Sequence, residues 1–506
     1  MRVESQRKWN RLRWGWPAAL TIILATAYGF TLAPGLTWAN RGDDGGDLIT
    51  AAATLGVAHP TGYPTYLILA HLFQWLPFGS LAFRATLLSS ASALGAALAV
   101  RELVLCLRPA DRQAFPSQLA GWCGGLAFGL SALVWSQAVI AEVYTLHALG
   151  LSVILLATYR LINEDQRPLG LLDRIYALAI GLALGNHLTT LFALPVYLGA
   201  LWYRRQRAPH APTIQLLGLL LAGTAIYLYL PIRAAAQPPV NWGQAFTVQG
   251  FWWVVSGAPY HPLAFAAPAD EIWPKMVAGL RQLLDQWNWP GLLLGLLGMA
   301  AVPVTAKGMR LALLWLALVA FAFAVEYNAK DYFVHLLPVC LSLAVGIGLA
   351  VGGGMDWAAR RSARLALSGT LAIAAWLAVQ LVTVGPRISA RADARAEDFL
   401  EAVLAQAPRN ALIATRTDRD SFALWYGRFA LRARPDVMIV VEPMLPYAWY
   451  RENLRATYAH FVAPDDPKVN ADRLAELNGR PLCRTDLEAE APLRCAEGYN
   501  QITTSP

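Results

Sequence analysis

GDDGGDLITAAATLGVAHPTGYPTY, from Gly42 to Tyr66, sets three carboxylates, Asp43, Asp44 and Asp47, within a few residues of the end of an apolar run. Charge held so close to hydrocarbon is costly unless it has a task or a firm partner. Read outward, the stretch lies between apolar runs at about 16–35 and 82–106. Similar runs recur at about 118–137, 143–161, 172–186, 188–203, 213–232, 290–306, 311–326, 333–353 and 366–384. A helix needs roughly 20 such residues to cross about 30 Å of hydrocarbon, so these runs read as about eleven membrane spans. The apolar stretch Tyr63–Leu76, bracketed by Pro60, Pro64 and Pro77, is short for a span and reads as an interfacial or re-entrant helix.

Composition agrees: 56% of the 506 residues are hydrophobic and only 15% charged, against about 25% charged in soluble chains. The net charge of +8 does not mark a nucleic-acid binder, because the basic residues fall between apolar runs without an aromatic-interleaved stripe. Arg2, Arg7, Lys8, Arg11 and Arg13 precede the first run. That run lacks a small-residue cleavage pattern and reads as a retained helix rather than a signal peptide. With the N-terminus cytoplasmic, Arg108, Arg112, Arg160, Arg167, Arg174, Arg204, Arg205, Arg207, Lys307, Arg310, Arg360, Arg361 and Arg364 all face the cytoplasm. The opposite, outer face then receives the loop 36–81, a Trp- and Pro-rich loop from Arg233 to about Trp289, and everything beyond Gly385.

From residue 386 to 506 the composition turns charged and mixed. The β-like runs ALIAT (Ala411–Thr415) and DVMIVV (Asp436–Val441), separated by a helical pattern, predict a small soluble α/β domain outside the membrane. Residues 1–385 form the transmembrane domain. Cys106, Cys123 and Cys340 read as small hydrophobes. Cys483 and Cys495 stand 12 apart with no histidine to complete a zinc pattern, and form a disulfide if their segment is extracytoplasmic. Gly121, Gly125 and Gly129, and Gly181 and Gly185, have the small-residue spacing that lets helices approach closely.

Each polar group has a plain reading beside a chemical one. Asp44 or Asp47 can cap the LITAAATLG helix; a carboxylate at the membrane surface can equally serve as a general base toward a hydroxyl that attacks a sugar's anomeric carbon. A phosphate leaving group would need cations or N–H donors, and Arg41, Arg84, Arg233, His59, His187 and His261 fall on the outer face, Arg233 being the preferred partner. Arg233 is also placed where an arginine snorkels. Glu142, with Gln137, Tyr144 and His147 around it in WSQAVIAEVYTLH, and Asn186 with His187 in LALGNHLTT, interrupt apolar runs on the same face. Asn241, Trp242, Trp252, Trp253 and Tyr260 crowd the long loop, where aromatic rings stack on sugars or sit at headgroup level. No HExxH spacing, P-loop or dinucleotide fingerprint occurs. No cofactor is established, although the three aspartates could hold a divalent ion.

The motifs taken in order resemble glycosyltransferase family 117, the transmembrane O-mannosyltransferases and their bacterial relatives. Asp44-Gly45-Gly46-Asp47 followed by LGVAHPTGYPTY is similar to that family's D-S-G-E and LG-x-xHPPGYPLY pattern, with His59 and Tyr63 at its His and Tyr. The likeness continues through Trp135–Leu149, Gly181–Thr189, Tyr227–Gly243 and Phe251–Gly257. It implies a GT-C fold, a polyprenyl- or dolichyl-phosphate sugar as donor, and inverting transfer of a hexose, mannose foremost, to a protein Ser or Thr hydroxyl or to a glycan or lipid. Asp44 matches the motif aspartate, implied as base, and Asp47 the motif glutamate. Asp43, His59, Tyr63, Gln137, Glu142, Tyr144, His147, Asn186, His187, Arg233, Asn241 and Trp242 become candidates for holding donor or acceptor. Two departures are Asp47 for glutamate, one methylene shorter, and Thr61 for proline. The short loops point to a bacterial plasma membrane and an undecaprenyl carrier. The rival readings are a transporter or lipid flippase, whose charges would line a path through the bilayer, and an inactive scaffold.

Overall fold

A computed structural model of the chain describes residues 2–108, 111–164, 167–302, 306–489 and 491–496. The side chains of the first fourteen residues and of Lys307 lie outside this description, the N-terminal basic cluster among them. The backbone of Arg2–Thr31 is a continuous helix.

Among the described residues, six helices are long and apolar enough to cross a membrane: Leu81–Leu107, Tyr144–Asn163, Thr213–Ala235, Gly308–Glu326, Tyr332–Arg361 and Ala363–Ile388. Phe115–Gly129 and Ala132–Ala138, bent by 65° at their junction, make a seventh if counted as one span. The protein is therefore an integral multi-pass membrane protein. The expected spans at 172–186 and 188–203 are shorter, helices Leu171–Leu184 and Leu194–Arg207 joined through the 3₁₀ turn Leu188–Phe192. The expected span at 290–306 is the second half of a longer helix, Ala269–Ala300, that breaks at Asn288 (φ 57°) just before Pro290. Much of the loop expected from Arg233 to Trp289 is accordingly helical, because Pro268 precedes a first turn carrying Asp270 and Glu271, which suit the positive end of a helix.

Pro64–Phe73 is a ten-residue helix, about 15 Å long and half of what a crossing needs. The helices pack closely where side chains are missing. A Cβ on Gly181 would come 2.1 Å from the Leu220 carbonyl oxygen, so only glycine permits that crossing. At the far end from the acidic loop, Arg108 pairs with Asp356 at 2.6 Å, Arg160 and Arg167 both bond Asp173, and Arg204 donates to the Glu164 and Arg167 carbonyls.

Beyond Ile388 the chain builds a four-stranded sheet. β1 (Leu412–Thr415) is parallel to both β2 (Met438–Val441) and β3 (Leu482–Thr485), and β4 (Leu493–Cys495) runs antiparallel to β3, giving the order β2-β1-β3-β4. Cys483 and Cys495 are directly opposite in the β3–β4 register and joined as a disulfide.

The C-terminal domain does not stand apart from the membrane part. Leu36, Leu48, Ile49 and Tyr66 of the first loop share one buried core with Leu400, Leu412, Phe422 and Ile439. Asp393 accepts bonds from the Thr37 hydroxyl (2.6 Å) and the Trp38 N–H (3.0 Å). Docking is tight at Gly46, where an added Cβ would run into the Phe422 carbonyl oxygen. Gly46→Val is expected to pry the Asp418–Trp425 helix off the loop at a cost of roughly 1–3 kcal/mol or more. Faster protease cleavage of the C-terminal domain in membranes would register it, and a wild-type cleavage rate would show that the contact is not needed for docking.

Candidate active site

The Gly45–Thr54 helix begins immediately after Asp44, which occupies its N-cap position, yet the Asp44 side chain makes no capping bond. Capping therefore does not account for this carboxylate. Its side chain keeps 38% of its accessible surface, so it faces an open cleft. Asp47, one turn further, is fully buried. Its Oδ2 accepts the His59 backbone N–H at 3.0 Å and lies 2.7 Å from His59 Nδ1, while Oδ1 accepts Trp242 Nε1–H at 3.1 Å. His59 Nε2 lies 3.7 Å from Asp44 Oδ2. A single imidazole thus links a buried carboxylate to one that faces the cleft.

Burial alone would depress the His59 pKa, but the Asp44 charge and the Asp47 hydrogen bond outweigh it and raise it to about 9. The ring is a cation at neutral pH. Asp44 is raised to about 7, first by burial, against the pull of His59 and with the help of Asp418, Asp47 and Asp331. A carboxylate poised there is matched to proton abstraction at neutral pH.

Local structure explains the placement. Val57 forms a parallel bridge with Asn241, donating its N–H to Val240 O (2.9 Å) and accepting the Trp242 N–H on its own carbonyl (3.2 Å). This brings the indole to Asp47 across nearly two hundred residues of sequence. Asn241 donates from Nδ2 to the Ala234 carbonyl at 3.1 Å, and its buried Oδ1 has no partner among the described residues. Tyr63 bonds the Pro60 carbonyl (3.2 Å) and sets its ring 5.0 Å from that of His59.

The other expected residues form neighbouring groups. Glu142 is buried, its backbone clasped by Ser89 and its carboxyl bonded to the Val143 N–H at 3.2 Å. Burial first, then the Asp44 charge, push its pKa well above the usual carboxylate range. His147 stacks on His187 at 4.7 Å, both bond Thr189, and Tyr144 (5.6 Å) and Tyr63 (6.5 Å) connect His187 toward His59. Tyr144, His147, His187 and Thr189 line a pocket together with Phe192, Phe323 and His335. Asn186 Nδ2 bonds the Val143 carbonyl at 3.1 Å. Gln137 is buried and bonds only Ser136 among the described residues (3.3 Å).

Asp43 turns away and pairs with Arg419 of the C-terminal domain at 2.8 Å. Arg233 stands apart, its Nε donating to the Leu55 carbonyl at 2.7 Å. That carbonyl lies at the other end of the ten-residue helix, about 15 Å from Asp44. Arg84 spends its guanidinium on the carbonyls of Gln74, Phe78 and Gly79, and His261 bonds Ser256. For a divalent ion at the acidic loop, Asp47 is saturated and Asp43 is paired, which leaves Asp44. Among the described residues no group of three or more His, Cys, Asp or Glu is arranged to hold a metal.

Sequence reasoning missed four residues, Phe422, Asp418, Lys330 and Asp331. Phe422 lies parallel to His59 at 6.3 Å, and Asp418 precedes it by one helical turn. The loop after Gly308–Glu326 brings Lys330 and Asp331, with Arg41 bonded to the Lys330 carbonyl and stacked 4.4 Å over Phe333. The only local signal was the charged interruption NAKD (Asn328–Asp331) between two apolar runs. Nothing near Asp418 in the sequence marks it.

A bundle of membrane helices with an acidic first loop, capped by a small α/β domain, is the GT-C architecture, and the fold of this chain is of that class. The structure of ArnT from Cupriavidus metallidurans bound to undecaprenyl phosphate superposes with a TM-score of 0.57 at 15% identity, covering 93% of this chain and 92% of that one. Its apo form gives the same score over 93% of each chain. Residues 44–210 match the family model "Protein O-mannosyl-transferase TMEM260 N-terminal domain". The mouse Protein O-mannosyl-transferase TMEM260 is 26% identical over 459 residues, covering 85% of this chain. Its Dictyostelium discoideum counterpart is 22% identical over 527 residues, covering 92%. The chain spans 63% and 62% of the length of these two relatives.

Proposed function

We propose that this protein is an inverting membrane glycosyltransferase that moves a hexose, mannose foremost, from a polyprenyl-phosphate donor to a hydroxyl acceptor on the outer face of the membrane. The observation that carries the reading is Asp44, a carboxylate open to a cleft at the membrane surface, unspent on helix capping and backed by the His59–Asp47 pair. In this reaction Asp44 takes the proton from the acceptor hydroxyl as its oxygen attacks the anomeric carbon. The bond from that carbon to the phosphate oxygen breaks on the opposite face, and the electron pair leaves with the lipid phosphate, which needs no added proton. His59 and Asp47 orient the base and do not touch substrate, since His59 is packed between Tyr63, Trp242 and Phe422.

For the departing phosphate we assign Arg41 in place of Arg233. Arg41 precedes Asp44 by three residues, is exposed, and with His59 stabilises the Asp331 carboxylate, so these groups surround one opening. The names of the relatives support a protein Ser or Thr as acceptor, and the ArnT complex supports a polyprenyl phosphate carrier. The outward placement of the cleft is supported by the disulfide in the C-terminal domain and by the basic clusters at the opposite end of the helices. A transporter is disfavoured because the carboxylates without an arginine partner, Asp44, Asp47 and Glu142, gather at one end of the bundle, whereas Asp173 and Asp356 at the other end are paired with arginines.

The test is reconstitution in liposomes with a synthetic polyprenyl-phosphate mannose and a Ser/Thr-rich acceptor peptide. Formation of an α-mannosyl peptide with release of polyprenyl phosphate supports the proposal. Transport of the intact lipid across the bilayer with no transfer to peptide, glycan or lipid acceptors would replace it with the flippase reading.

A further inference from the structure

The C-terminal domain reaches the cleft through one short helix, Asp418–Trp425, and three contacts settle which way that helix faces. Arg419 is bonded to Asp43 at 2.8 Å, the Phe422 carbonyl rests on Gly46, and the Phe422 ring lies parallel to His59 at 6.3 Å with an interplanar angle of 11°. Residues four apart share a face of a helix. Asp418 therefore projects on the same side as Phe422, one turn further out, beside His59 and Asp44 on the open side of the cleft. Its neighbours are engaged: Thr417 and Asp420 bond one another in a capping box, and Asp420 also holds Thr485. Asp418 is exposed and, among the described residues, its carboxylate has neither a hydrogen bond nor an ion pair.

Resting on the glycosyl-transfer reading above, we propose that Asp418 is a specificity-determining residue that accepts hydrogen bonds from the hydroxyls of the donor's sugar, so that the site is completed by the C-terminal domain. A carboxylate suits this task. It offers two acceptor oxygens to adjacent hydroxyls, and such charge-assisted bonds exceed neutral ones in strength. A phosphate or an isoprenoid chain would find no partner in it, which restricts its action to the sugar. The docking contacts at Asp43, Gly46 and His59 then have a purpose beyond bracing, since they hold the Asp418 carboxylate at a set position over the base.

The test compares binding to the full-length protein in nanodiscs of two probes, polyprenyl-phosphate mannose and the same polyprenyl phosphate without sugar. Wild type is expected to prefer the mannosyl lipid, and Asp418→Ala to lose about tenfold of that preference, the worth of a charge-assisted hydrogen bond, while binding the bare lipid phosphate as before. An Asp418→Ala protein that keeps the full preference overturns the assignment and leaves the glycosyltransferase reading intact. Equal weakening toward both probes would make Asp418 a structural residue and also overturn it. A wild-type protein with no preference for the mannosyl lipid overturns the assignment, and transfer to peptide by the same protein in liposomes then shows whether the reaction stands.

Discussion

Asp44→Asn is expected to lower turnover of hexosyl transfer by about 10²- to 10⁴-fold, the range over which a positioned general base acts. The amide has nearly the same shape and can still face His59, so the cleft is preserved and KM for the donor is expected to stay near wild type. That split separates loss of chemistry from loss of binding. In cells, with equal membrane levels of the two proteins, mass spectrometry of envelope glycoproteins and glycolipids would show a glycan missing and the lipid-linked sugar accumulating. An unchanged glycan profile would remove Asp44 from the chemistry. The pH profile gives an independent check. The base works ionised, so the rate should fall as pH drops through about 7, the value to which burial raises Asp44. Replacing His59 by Gln removes the cation that opposes this rise, and the acid limb should move to higher pH.

Asp47→Ala is expected to cost about 3–5 kcal/mol of stability, the range seen when one partner of a buried ion pair is removed. The substitution leaves the His59 backbone N–H, the His59 ring and the Trp242 N–H without their acceptor in a fully buried place. The thermal midpoint in detergent should fall accordingly, and a midpoint within a degree of wild type would refute the role given to Asp47. The pair also sets a pH dependence. His59 has its pKa raised from 6.5 to about 9 in the folded protein. Its contribution is therefore fully present below about 6.5 and is lost as pH rises through about 9. Asp47→Asn, which keeps the volume and removes the charge, should flatten the stability loss across that window.

Local chemistry made part of this legible. A run of apolar residues near the length of the bilayer reports its own fate, because hydrocarbon satisfies no backbone group and a helix is the solution available to a single segment. The acidic turn at Asp43–Asp47 stood out because charge beside a span is costly. The strands at Leu412–Thr415 and Met438–Val441 were visible as short β-branched runs. β3 and β4 were not, since LCRT and LRC are brief and mixed, and they become strands by pairing with β1 and with each other. The break at Asn288 and the helix ahead of it were read as loop because prolines and tryptophans masked the periodicity.

The sequence by itself determined that this chain lives in a membrane, that an acidic turn stands beside a span, and that Asp44 and Asp47 belong to one motif. Only the tertiary structure decided that the two aspartates differ. Asp44 opens on the cleft, whereas Asp47 is sealed beneath His59 and Trp242, a distinction of burial and partners that residues three apart on one helix do not reveal. It likewise decided that Asp43 is tied to Arg419 of the C-terminal domain, that Arg233 is spent on the Leu55 carbonyl, and that Asp418, far along the chain, comes close to His59 and Asp44. Periodicity reports which face of an element is apolar. Which distant element covers that face depends on shape, here on the space left at Gly46, and is settled when the chain packs.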